Sequence, residues 1–160
     1  MSDDKRQSIQ VIQELVRDRL SALVLYARQW KHGCAEDVVQ DAFLKLYQQD
    51  PLPAEPVAWL FAVIRNDSNN HLRSQKRRKQ RELERPLFQN TDDLPDEREL
   101  IEALQSLPQE HREIITAKIW GGLSFEQIAA IYGSSRSSAH RKYQEGIELL
   151  REGLGIRGEG

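Results

Sequence analysis

Apolar residues along this chain recur at intervals of three and four, the period of a helix buried along one face. Ile9, Ile12, Val16, Leu20, Leu23, Val24 and Ala27 form a broad stripe that predicts one long helix from Ser8 to Trp30. After a break at His32, Gly33 and Cys34, Val38, Val39, Ala42, Phe43, Leu46 and Tyr47 predict a second helix from Glu36 to Gln48. Its other face carries Asp37, Gln40, Asp41, Leu44 and Lys45. Such a face is either merely solvated or an acidic, partly apolar strip on which a basic partner helix docks. Asp50 to Pro56, DPLPAEP, stops the helix, because proline lacks an amide and disfavours helix in the residue before it. Beyond Pro56, which suits a first helical turn, Val57, Leu60, Phe61, Ile64 and Leu72 mark a third helix bearing Trp59 and Asn66.

The second half repeats the pattern in shorter pieces. Leu100, Ile101, Leu104 and Leu107 predict a helix from Asp96, as its cap, to Ser106, and Pro108 opens another that runs to Trp120. Ile114, Ile115, Ile119 and Trp120 are expected to pack against the last two helices, and Gly121 and Gly122 end the helix. Ser124 is a good N-cap for a short helix with Phe125, Ile128, Ala129 and Tyr132 on its apolar side. Gly133 supplies the turn, and Ser134 or Ser135 can cap a last helix starting near Arg136. With Ala139, Tyr143, Ile147 and Leu150 turned inward, Arg136, Ser137, His140, Arg141 and Gln144 project away from the core. Two helices joined by such a turn have the layout of a helix-turn-helix, and small hydroxyls with arginine at a helix start suit phosphates and major-groove base edges. The plainer reading of this stretch is a helical hairpin with a solvated face.

Composition narrows the field. The chain has 160 residues with 39% hydrophobic, 30% charged and only 7% aromatic residues, which favours helices over a β sandwich. A net charge of -2 hides a segregated distribution. Arg73, Lys76, Arg77, Arg78, Lys79 and Arg81 form a run without acids, whereas Asp92, Asp93, Asp96, Glu97 and Glu99 crowd a later segment. A tryptophan, an amide and a row of cations along the third helix suit unpaired bases and their phosphates. One cysteine, Cys34, allows no internal disulfide, and neither a signal-type apolar stretch nor a bilayer-length apolar run is present, so the expected location is the cytoplasm. His32, His71, His111 and His140 stand apart without metal-ligand spacing, and each reads as a surface or capping residue rather than a ligand, with His140 the exception as a candidate DNA contact. No catalytic constellation emerges, so no enzyme activity, metal or cofactor is expected.

Asp37-Val38-Val39-Gln40-Asp41-Ala42-Phe43-Leu44-Lys45-Leu46, then Pro56 to Asn66 and His71-Leu72-Arg73, resembles region 2 of the extracytoplasmic-function sigma factors of bacterial RNA polymerase. Ala103 to Pro108 with Arg112 and Glu113, followed by Gly122-Leu123-Ser124, Ile128-Ala129 and Ser135 to Arg141, is similar to region 4 of that family. The two sets fall in the right order and cover nearly the whole chain. The resemblance implies an all-α fold of two small helical domains joined by a flexible linker: region 2 over residues 1–83, a linker over 84–96 and region 4 over 97–160. It implies that Asp37, Gln40, Asp41 and Leu44 dock on a coiled coil of the largest subunit of core RNA polymerase. A groove of region 4 would take a flexible helix of the second-largest subunit. Trp59, Arg65 and Asn66 would face the -10 element of promoter DNA while Arg73, Lys76, Arg77 and Lys79 hold its phosphates. Arg136, Ser137, His140, Arg141 and Gln144 would read the -35 element. An anti-sigma factor is a further partner common in the family.

Departures from the family pattern bear on which bases are preferred. Asn70 stands at a common aspartate position, and the loop 50–56 is short and proline-rich. In the last helix Ala139 replaces a β-branched residue, His140 a basic one, and Glu145 could repel a phosphate or accept from a cytosine amine. The alternative from another functional class is an ordinary helix-turn-helix repressor or activator that binds duplex DNA as a dimer.

Overall fold

The computed structural model describes residues 2–75 and 98–155, with the backbone alone for 72–75. The predicted linker at 84–96 and the cations Lys76, Arg77 and Lys79 lie outside the described residues, as does Asp96 as a helix cap. The chain divides into two compact units, Met1–Glu84 and Arg85–Gly160. Every regular element among the described residues is helical.

The first unit is built from α1 (Asp3–Arg28), α2 (Ala35–Tyr47) and α3 (Pro56–Gln75). Helix α1 starts five residues before the predicted helix does. The Ser2 hydroxyl accepts from the Lys5 amide, and Asp3 and Asp4 favour the positive end of the helix dipole. Lys5 anchors this extension, since its ammonium donates to the Tyr47 carbonyl at 3.2 Å and lies 3.9 Å from the centre of the Tyr47 ring. The core draws on the C-terminal part of α1, where Leu23, Val24, Tyr26 and Ala27 are buried, together with Val38, Val39, Ala42 and Leu46 of α2 and Leu60, Phe61 and Ile64 of α3. Tyr26 meets Phe61 and Trp30 edge-on, with ring centres 4.7 and 5.1 Å apart. Val16 and Leu20, part of the predicted inward stripe, are exposed.

His32 is a correction to the reading of the histidines as surface or capping groups, because it is fully buried. The Cys34 amide donates to its Nδ1 at 3.0 Å, so Nε2 carries the proton and donates to the Ser68 hydroxyl at 3.1 Å. Nearby, the Trp30 indole donates to Asn69 Oδ1 at 2.7 Å. These bonds fasten the α1–α2 turn to α3. Burial, and secondarily the neighbouring His71 ring, push the His32 pKa down from 6.5 to about 4. Between those values the unfolded chain takes up a proton that the folded chain refuses. Stability is therefore full above pH 6.5 and falls as the pH drops toward 4, by up to about 3 kcal/mol from this group. Urea unfolding of wild type and His32→Asn from pH 7 to pH 4.5 checks this, since the variant should start less stable and lose less with acid.

The second unit holds α4 (Arg98–Leu104), α5 (Gln109–Ile115), a single π turn over Thr116–Trp120, α6 (Phe125–Tyr132) and α7 (Arg136–Gly153). Leu104, Leu107, Ile115 and Leu150 form the centre of its core, with Leu100, Ala103, Trp120, Tyr143 and Ile147 packed around them. Gly146 lets α7 approach α5 closely, for a Cβ there would lie 2.7 Å from Ile115 Cδ1. The π turn, closed by the Gly121 amide on the Thr116 carbonyl at 3.0 Å, interrupts the helix predicted from Pro108 to Trp120. Its added residue turns the following side chains about 100° out of phase. Ile119, expected inside, lies within this turn and is exposed, whereas Trp120 packs on the core as expected.

Candidate nucleic-acid interface

Local rules set the geometry of α6 and α7. Ser124 Oγ accepts from the Gln127 amide at 3.1 Å and Gln127 Oε1 accepts from the Ser124 amide at 2.8 Å, a reciprocal capping box. Gly133 closes α6 at φ 63°, ψ 35°, a left-handed conformation that a Cβ would strain. Ser135, one of the two serines expected to cap the next helix, takes the Ser138 amide at 3.0 Å. Helix α7 then buries Ala139, Gly146 and Leu150. Arg136, Ser137, His140, Arg141 and Gln144 all emerge exposed on the opposite face.

Neighbours constrain several of these side chains. Arg136 Nε pairs with Glu126 Oε2 at 3.2 Å, His140 stacks edge-on against Phe125, and Gln144 Nε2 lies 3.3 Å from His140 Nε2. Glu145 belongs to another contact, with Oε1 3.3 Å from His111 Nε2, so in this geometry it faces α5. Lys142 pairs with Glu110 of α5. Beneath the motif, the buried Glu113 carboxylate accepts from Tyr132 Oη at 2.6 Å and from Gln109 Nε2 at 2.8 Å. Its buried neighbour Arg112 donates to the Leu107 carbonyl at 2.8 Å; burial lowers the Arg112 pKa, and Glu113 works in the opposite direction. The support that Phe125 and Glu126 give the reading face had no signal in the sequence, because their contacts cross a turn and follow no helical period.

In the first unit, Asp37, Gln40, Asp41 and Leu44 lie at helical positions i, i+3, i+4 and i+7 of α2 and are all exposed. Leu44 stands out at 55% exposure, on a helix whose other face is core. Lys45 is turned aside by an ion pair with Asp67 of α3 at 2.7 Å. On α3, Leu60, Phe61, Ile64 and Ser68 are buried. Trp59 and Asn66, seven residues apart and so on one face, are respectively half-buried and exposed; Arg65 is half-buried beside them. The backbone of Arg73 is part of α3, while its side chain lies outside the described residues, with Lys76 and Arg77.

Two family models match the chain in series. The one described as Sigma-70 region 2 covers residues 12–78, and the one described as Sigma-70, region 4 covers residues 97–150. RNA polymerase sigma factor CarQ of Myxococcus xanthus is 32% identical over an alignment of 140 positions that covers 81% of this chain and 80% of that protein. The chain belongs to the sigma-70 family of RNA polymerase sigma factors. The ECF RNA polymerase sigma-E factor of Escherichia coli K12 is 31% identical over an alignment of 137 positions that covers 73% of this chain and 72% of that protein. Among solved structures, sigma factor RpoE in complex with the anti-sigma factor NepR, from Bartonella quintana, matches with a TM-score of 0.69 and 29% identity, covering 90% of this chain and 96% of that one. This is a transcription initiation factor of the extracytoplasmic-function type, and that reading is favoured over a free-standing repressor or activator. No helix among the described residues is long and apolar enough to cross a membrane.

Proposed function

We propose that this sigma factor binds core RNA polymerase through Asp37, Gln40, Asp41 and Leu44 of α2, and that its two units hold the -10 and -35 elements of one promoter. Region 2 occupies residues 1–83 and region 4 residues 97–160, with 84–96 as the connecting linker. Trp59, Arg65 and Asn66 take unpaired bases of the -10 element, and Arg73, Lys76 and Arg77 hold adjacent phosphates. Melting is then driven by preferential binding to the open strand. Arg136, Ser137, His140, Arg141 and Gln144 lie in the major groove at -35. The chain contributes no catalysis and needs no metal or cofactor, because the polymerase supplies the chemistry. It works in the cytoplasm, and an anti-sigma factor holds it inactive, a reading supported by the NepR complex of the Bartonella protein.

The observation that carries this reading is that each unit leaves its row of family-matched residues exposed on one helix face while the opposite face builds the core. Arg141 is the sharpest probe of the -35 face. It is exposed, and among the described residues its side chain makes no ion pair or hydrogen bond, so the guanidinium fork is available to a guanine. Arg141→Ala is expected to cost the holoenzyme about 1–3 kcal/mol of discrimination at one -35 base pair. Transcription from a set of single -35 substitutions measures it, and unchanged promoter choice removes Arg141 from the reading set.

A further inference from the structure

Two consecutive residues at the start of α6 hold two residues of the reading face. Glu126 Oε2 engages Arg136 Nε at 3.2 Å, and both side chains remain largely exposed. Phe125 meets the His140 ring with centres 4.9 Å apart and planes at 81°, and packs on Tyr143 at 5.4 Å and 65°. Lys118 Nζ lies 4.4 Å from the centre of the Phe125 ring, so the phenylalanine is held from a third side. The turn carrying both residues is fixed in its own right by the Ser124–Gln127 capping box. Arg136 and His140 are one helical turn apart, and each therefore has its own support on a rigid element that does not itself belong to the reading helix.

We propose that Phe125 and Glu126 are positioning residues for -35 recognition, setting the strength of base preference at the steps read by His140 and Arg136. This deepens, and rests on, the reading of α7 as the -35 helix. A long side chain free in solution loses rotamer entropy when it grips a base, and one already held in place loses less. With Arg136 steadied through Nε, its two terminal nitrogens keep the fork that matches guanine O6 and N7. The Glu126–Arg136 pair is exposed, at 70% and 62%, so it adds little to folding stability, and its effect falls on discrimination. Glu126 also brings a negative charge toward DNA. Were charge its whole role, its removal would strengthen binding to every sequence alike. Positioning has a different signature, a loss confined to one base step.

The test uses holoenzyme assembled from core polymerase and the full chain, transcribing a promoter library randomised across the -35 element. Arg136→Ala and His140→Ala first identify the step that each residue reads. Glu126→Gln is then expected to weaken preference about 3- to 10-fold at the Arg136 step alone, and Phe125→Leu by a similar factor at the His140 step. Phe125→Tyr keeps the ring edge and should retain the wild-type profile. A uniform shift across all sequences, or unchanged preferences in both Glu126→Gln and Phe125→Leu, overturns the proposal. Glu126 is exposed, so Glu126→Gln decides its half even where Phe125→Leu folds poorly. If Arg136→Ala and His140→Ala alter no step, the -35 reading of these two residues falls, and the inference with it. If they do alter steps while the supporting variants are silent, only the inference falls.

Discussion

Asp41→Arg is expected to weaken binding to core RNA polymerase on the order of 100-fold, because a like charge set against a basic docking helix costs several kcal/mol. Among the acidic residues of α2 it is the cleanest position. Asp37 lies in the first turn, where a carboxylate also stabilises the helix through its dipole, so its replacement would mix folding with docking. Asp41 is in mid-helix and exposed, beside Leu44, which is 55% exposed. The variant should therefore melt like wild type. Competition for core polymerase against labelled wild-type protein measures the loss, and an unchanged affinity would remove α2 from the docking surface.

Glu113→Leu is expected to destabilise the second unit by about 3–5 kcal/mol, the usual cost of breaking a buried charged network from one side. The carboxylate is only 5% exposed and takes hydrogen bonds from Tyr132 Oη and Gln109 Nε2, tying α5 to the last turn of α6. Leucine would deprive both donors of this acceptor. It would also leave the buried Arg112 guanidinium without the adjacent carboxylate that favours its charge. In so small a unit that is a large share of the whole stability. Thermal unfolding followed by circular dichroism should show an early transition accounting for the helices of the second unit, with -35 dependence lost and core binding through α2 retained. Glu113→Gln, which keeps an acceptor for Tyr132, should cost less than half as much. A melting curve for Glu113→Leu that matches wild type would deny the network this role.

The all-helical architecture was legible because a buried helix face repeats every three to four residues regardless of its partners, as in Val38, Val39, Ala42 and Leu46 or Leu60, Phe61 and Ile64. The helix-turn-helix was legible for chemical reasons, since Ser124 and Ser135 cap and Gly133 adopts the left-handed turn. The features that escaped the sequence depend on contacts distant along the chain. His32 looks like any polar loop residue until Ser68, thirty-six positions away, takes its proton in a hydrogen bond. The start of α1 at Asp3 is held partly by Lys5 reaching Tyr47, and no local apolar pattern announces that. The π turn leaves no periodic trace, and Ile119 within it is exposed where the stripe put it inside. On the reading face, periodicity identifies which residues point outward but not what steadies them. Glu126 and Phe125 join that face only through the packing of α6 on α7, and Glu145 leaves it by turning to His111.

The central claim is that two nucleic-acid surfaces on this short chain act together only when core polymerase carries them. The direct measurement is run-off transcription by purified core enzyme on a genomic promoter library, with and without this protein, alongside duplex binding by the protein alone. New start sites that share -10 and -35 sequences should appear only when both proteins are present, with weak, salt-sensitive duplex binding by the free chain. Tight binding of a palindromic duplex by a dimer of the chain alone, with no change in start sites when it joins core enzyme, would contradict the claim.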